Sequence, residues 1–230
     1  MSANNTTNLV GNAGEVLKKN VKDLLATGLF SDLTIVCGHK EFKVHKSILY
    51  LQSDYFKKLL GGEFREANSS TIPFDEDPDT FHALIHFLYN FTWCPSMVEP
   101  TQVVAVYQLA DKYLVPPLYQ LAASRFKQAC DPKGNTETFI DAIDAVLEST
   151  APGDDTLWNI VFPMIKQNMR LLTKNASFVD LLQKHEDLNI RLLEEMSVSE
   201  PAEHTAIDPD LLADGGGWGS IYGGGGRKLG

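Results

Sequence analysis

The sequence is poor in cysteine. Three occur in 230 residues, Cys37, Cys94 and Cys130, an odd number lying far apart with no CxxC pair. Neither a disulfide framework nor a zinc ribbon is indicated, and a reducing compartment fits best. Cations are scarce too, with 20 Lys and Arg against 30 Asp and Glu and a formal net charge of −10. The few that exist do not cluster, so a phosphate backbone is repelled and nucleic acid is not expected as a direct partner. No stretch reaches about 18 uninterrupted apolar residues, and the start, MSANNTTNLVGNAGE, has neither the basic flank nor the apolar run of a signal peptide. These absences lead to the expectation of a soluble, intracellular protein of the cytoplasm or nucleus, with no membrane partner.

Catalytic templates are missing as well. There is no GxxxxGK[ST], and the Gly-rich stretch near the C-terminus neither follows a strand nor precedes a helix, so it reads as no phosphate cradle. GxSxG is absent, and no nucleophile, base and orienter stand in a recognisable order. His82 and His86 lie four apart on one expected helix, the spacing by which two imidazoles share a metal. No HExxH glutamate or obvious third ligand accompanies them, so the plain reading is two partly exposed histidines beside a core face. No catalytic residue, cofactor or metal is therefore expected.

What is present is ample apolar content, 43 % of the chain, arranged in short periodic blocks. Residues 1 to 12 are rich in Asn and Thr and are expected to be disordered. Val16, Leu17, Val21, Leu24 and Leu25 then recur at helical spacing until Gly28. LTIVCG and EFKVH read as a hairpin around Gly38-His39-Lys40. Lys46 to Leu51 makes a short helical turn, and Ser53 is a candidate N-cap for a helix that Gly61-Gly62 ends. Residues 70–73 form a third strand candidate, and Asp77-Pro78 opens a helix with the stripe Phe81, Leu84, Ile85 and Leu88. Two further helices follow, separated by Pro116-Pro117. After Asp131 the strand signal vanishes, and helical patterns recur around 137–149, 155–171, 175–184 and 186–196. The expectation is an α+β fold with a small sheet, then a helical extension over 131–196, then a Gly-rich acidic tail over 197–230 with too little apolar content to fold.

Five blocks, FSDLTIV (30–36), FKVHKSIL (42–49), SDYFKKLL (53–60), FHALIHFLY (81–89) and LADKY (109–113), resemble the BTB/POZ domain in the short form abundant in filamentous fungi. Their order and spacing together carry the resemblance, which places the domain at residues 13–130. It implies a non-catalytic protein–protein interaction module, commonly homodimeric. Leu17, Val21 and Leu24 form a stripe on the first helix that a domain this small is not expected to cover fully, which makes them dimer-face candidates, and Asp32 and Lys46 match an acidic and a basic position that meet in a charged pocket at the interface of dimeric members of the family. The plainer alternative has Asp32 capping a turn and Lys46 extending to solvent. Phe64-Arg65-Glu66 matches the hydrophobic-x-Glu signature by which many members contact a cullin scaffold, the alternative being a Phe folded onto its own domain. The helices after 130 resemble in position the BACK-like extensions of the family.

Two functions follow from the resemblance. The first is a dimeric substrate adaptor of a cullin-type ubiquitin ligase, holding a cullin scaffold and an unknown client. The second is a dimerising scaffold or regulatory protein that meets no cullin. No kelch period, MATH domain or zinc finger is visible in the sequence to identify a client.

Overall fold

The computed structural model describes residues 3–62, 68–149 and 153–197. A long helix, α1 (Ala3–Thr27), leads into the hairpin β1 (Leu33–Cys37) and β2 (Lys40–Val44). Two short helices follow, α2 (Lys46–Gln52) and α3 (Asp54–Gly61), before β3 (Thr71–Phe74). The rest is helical: α4 (Pro78–Asn90), α5 (Pro100–Lys112), α6 (Pro116–Ala129), α7 (Thr136–Ser149), α8 (Trp158–Leu172), α9 (Ala176–Lys184) and α10 (Glu186–Ser197). Residues through Glu186 form one compact unit, and the chain from Asp187 onward belongs to a second.

The helix starts early for a reason of cooperativity. Residues 3 to 12, expected to be disordered, continue α1 back to Ala3. Extending an existing helix adds one hydrogen bond per residue fixed, and Asn or Thr costs only about 0.7 kcal/mol relative to Ala.

The sheet has order β2-β1-β3, with β1 antiparallel to β2 and parallel to β3. Leu33, Ile35 and Cys37 alternate inward along β1, as a strand with one core face requires. Register runs from Leu33 opposite Val44 to Cys37 opposite Lys40, which leaves Gly38-His39 as a two-residue turn. Lys40 is thus a strand residue. Gly38 has φ +55°, and a Cβ there would meet Pro78 Cγ at 2.7 Å, so glycine is required both by the turn and by the approach of α4.

Caps set the helix starts. Ser53 Oγ accepts the Phe56 N–H at 3.1 Å and donates to the Tyr113 carbonyl at 2.6 Å, tying the start of α3 to the end of α5. Asp77 accepts from the Thr80 N–H at 2.8 Å and from its hydroxyl at 2.7 Å, with Pro78 at the first helical position. Phe56, Phe74, Phe81 and Tyr113 then close an aromatic core, with ring centroids 5.2 Å apart for Phe74 and Phe81 and 5.6 Å for Phe56 and Tyr113.

The extension continues this core without a break. α7 packs on α5, burying Phe139, Ile140, Ile143 and Val146. Asp154, in the connection to α8, accepts from the Tyr107 hydroxyl at 2.7 Å and the Tyr119 hydroxyl at 3.1 Å, anchoring that connection to α5 and α6.

Candidate interaction surfaces

α1 packs on α4 through one side. Val21 and Leu24 are half-buried, whereas Leu17 is 64 % exposed and Val16 is exposed beside it. Of the three positions singled out on this helix, Leu17 is the one that faces outward. Gly28 ends α1 with φ +64°, accepted by the Leu24 carbonyl at 2.9 Å, and Leu29-Phe30 follow on the surface. Phe30 is 82 % exposed and sits at φ +60°. A left-handed conformation costs a non-glycine residue about 1–2 kcal/mol, and an exposed ring returns nothing for it within the monomer. Leu51 on α2 is 78 % exposed as well.

The Leu29-Phe30 turn is held from behind. His45 Nε2 lies 2.7 Å from the Leu29 carbonyl, and the Tyr89 hydroxyl meets both the main-chain N–H of His45, at 2.7 Å, and its Nδ1, at 2.9 Å. Burial pushes the Tyr89 phenol up from its ordinary value, against the opposing hydrogen bond from His45, so it stays protonated. Periodicity did not reveal Leu29, Phe30 or Leu51 as exposed, because a turn residue and one face of a short helix carry no repeat to read.

Asp32 and Lys46 are brought together, through the main chain. Asp32 Oδ1 accepts the backbone N–H of Lys46 at 2.8 Å, where α2 begins. The carboxylate therefore sits at a helix N-terminus, whose unpaired N–H groups favour an anion. This bond is at the start of α2, a different place from the turn before the strand where the plainer reading puts a cap by Asp32. Phe64, Arg65 and Glu66 lie outside the described residues, as does the whole of 63–67 between the Gly62 cap of α3 and Asn68.

His82 and His86 are half-buried on α4. Desolvation lowers both imidazoles below the usual value, helped for His82 by the Lys40 charge and for His86 by the charge of His82. Among the described residues one trio of metal-ligating side chains has its donors within 4.8 Å of one another, Asp144, Glu148 and His185. Its centre is taken by Lys184, whose Nζ is 2.8 Å from Asp144 Oδ2 and 2.6 Å from Glu148 Oε1. Burial alone would raise the Asp144 carboxyl. The hydrogen bonds from Lys184 and His185 outweigh it and hold that carboxyl below the carboxylate range. No described helix is long and apolar enough to cross a membrane.

Known proteins are similar to part of this chain. Human Kelch-like protein 11 is 33 % identical over 98 residues, 38 % of this chain and 13 % of that protein. Human zinc finger and BTB domain-containing protein 2 is 31 % identical over 94 residues, 41 % of this chain and 18 % of that one. Kelch repeat and BTB domain-containing protein 4 of Macaca fascicularis is 27 % identical over 124 residues, covering 54 % and 22 %. The chain thus spans less than a quarter of the length of these relatives. The solved BTB domain of zebrafish PATZ1 is 18 % identical with a TM-score of 0.44, covering 51 % of this chain and 94 % of that one. The BTB/POZ family model matches residues 21–129, from within α1 to the end of α6. Residues 21–129 of this chain are a BTB/POZ domain.

Proposed function

We propose that the protein is a non-catalytic, homodimeric substrate adaptor for a cullin-type ubiquitin ligase, working in the cytoplasm or nucleus. The observation that carries the interaction role is Phe30, an aromatic ring presented to solvent from a left-handed backbone that His45 and Tyr89 hold in place. Exposed rings on rigid supports are the usual anchors of protein interfaces. A second copy would cover exposed apolar groups such as Leu17, Leu29 and Phe30. The cullin part rests on the sequence signature Phe64-Arg65-Glu66, seven chain positions before β3 begins at Thr71. A client would then be held on another surface, with the α7–α9 extension available for it.

The test is affinity capture of the cullin with the wild-type chain beside a Phe64→Ala/Glu66→Ala variant. The adaptor reading expects cullin with the wild type and a loss of about 2 kcal/mol or more of binding in the variant, with an unchanged melting curve. Self-association without cullin in either sample would leave the dimerising scaffold as the function.

A further inference from the structure

The connection from α4 to α5 and the last turns of α6 line a cavity of about 450 Å³, and none of its lining residues belongs to the surfaces described above. Its lining is mostly apolar: Met97 and Val103 are buried, Trp93 is half-buried, and Val98 is exposed. Hydrogen bonds fix this lining in place. Trp93 Nε1 donates to the Met97 carbonyl at 2.8 Å, and the Met97 N–H donates to the Cys94 carbonyl at 3.1 Å. The Val98 and Glu99 N–H groups both donate to Gln102 Oε1, each at 3.1 Å, which fastens the end of the connection to α5. The apolar surface is therefore formed before any partner arrives, and little ordering entropy is lost on binding.

The polar part of the lining offers donors. Arg125 and Gln128 stand three positions apart on α6 and share one face of it. Arg125 Nη1 donates to Gln128 Oε1 at 3.4 Å, so the amide oxygen is turned to the guanidinium and the amide NH2 remains a donor. Among the described residues no carboxylate forms an ion pair with Arg125, and most of its N–H donors are unused. Lys40, Lys112 and Lys184 each have an acidic neighbour instead. In a chain with a net charge of −10, an exposed arginine left without an acid beside a preformed apolar cavity is complementary to an anion from outside the molecule.

We propose that this cavity docks a short acidic segment of a partner protein, with an aromatic side chain against the apolar lining and a carboxylate one or two residues away on Arg125. The indole of Trp93 and the thioether of Met97 both pack favourably on aromatic rings. A carboxylate takes two parallel hydrogen bonds from a guanidinium, a geometry that an amide or an ammonium does not match. The same arginine repels a basic segment, so charge selects among apolar partners that the lining alone would accept. This site is independent of the cullin reading, since neither Phe64-Arg65-Glu66 nor the exposed residues of α1 enter it.

The experiment uses the full chain labelled with fluorotryptophan, so that Trp93 reports on the cavity by fluorine NMR, its resonance assigned from Trp93→Phe. The probes are capped peptides, acetyl-Gly-X-Asp-Ala-Gly-amide with phenylalanine, tyrosine or tryptophan at X, each beside a control with asparagine for aspartate. At least one aspartate peptide should shift the Trp93 resonance saturably and leave that of Trp158 in place, and its asparagine control should bind at least about tenfold more weakly. Arg125→Gln should abolish this preference with the melting temperature unchanged, because Arg125 is an exposed residue without an ion pair. Val98→Ser should weaken both peptides about threefold or more and keep the preference. No saturable shift with any of the three, equal binding of the aspartate and asparagine peptides, or a preference that survives Arg125→Gln would each overturn the site. Phenylacetate binding as tightly as the peptides would make it a small-molecule cavity instead, and a Trp93 shift that follows chain concentration alone would put a second copy of the chain there; either result overturns the proposal.

Discussion

At the scale of single residues, the hydroxyl of Tyr89 joins three parts of the molecule. The Leu29 carbonyl can only accept, so the proton of His45 resides on Nε2, and Nδ1 accepts from Tyr89. The same hydroxyl oxygen accepts the His45 main-chain N–H, so every polar atom in the group is satisfied. Tyr89 has no exposed surface. Tyr89→Phe would leave the His45 N–H and Nδ1 buried without partners, each omission costing about 1–3 kcal/mol. The expected outcome is a fall of about 2 kcal/mol or more in unfolding free energy by urea titration, and a value within about 0.5 kcal/mol of wild type would show that the network does not carry the turn. Both residues stand in blocks that the sequence singles out, FKVHKSIL and FHALIHFLY. Their pairing spans 44 positions, and nothing local encodes it.

At the scale of elements, helix boundaries were legible wherever a side chain or a proline defines them. Ser53, Asp77 and Pro116 mark starts that the structure places at Asp54, Pro78 and Pro116, and the four helices after 131 fall close to their expected spans. The start of α1 was not legible, because the Asn and Thr residues among its first positions have weak helix propensity. The Asp77 cap gives a pH-dependent expectation. Hydrogen bonds from the Thr80 N–H and hydroxyl hold its carboxyl below the usual value, against a smaller effect of burial. The folded pKa is depressed, so the unfolded state binds the proton more tightly. The contribution is present above the unfolded pKa of about 4 and is lost as pH falls through the folded value. Asp77→Ala should therefore destabilise by about 1 kcal/mol at pH 7, and the gap to wild type should narrow at pH 3. Chemical denaturation at the two pH values checks it; a gap independent of pH would assign the loss to packing instead.

At the scale of the whole molecule, the strand signal and the packing end in different places. The sequence changes character at Asp131 and the family match ends at 129, yet the compact unit continues to Glu186 because α7 buries its apolar face on α5. Periodicity reports which residues want burial and is silent on what covers them. The same limit hid the exposed face: Leu17 belongs to the α1 pattern, and only the fold shows that Val21 and Leu24 turn inward while Leu17 does not. The proposed self-association is tested on that face. In a two-fold dimer each exposed side chain is buried twice, once from each copy, and a fully buried Leu or Phe contributes about 1.5–3 kcal/mol. Leu17→Lys with Phe30→Asn removes four such groups from the assembly and adds two like charges. Asn tolerates the left-handed backbone at position 30, so the monomer is spared the strain. The dimer dissociation constant should rise at least 100-fold, about 2.7 kcal/mol, while the melting temperature of the monomer stays unchanged or rises. Light scattering over a concentration series reads this directly: twice the chain mass for the wild type at micromolar concentration, and the single-chain mass for the variant. A wild type that stays monomeric at every concentration would end the dimer reading, and a variant that remains dimeric would move the interface away from α1 and the Leu29-Phe30 turn.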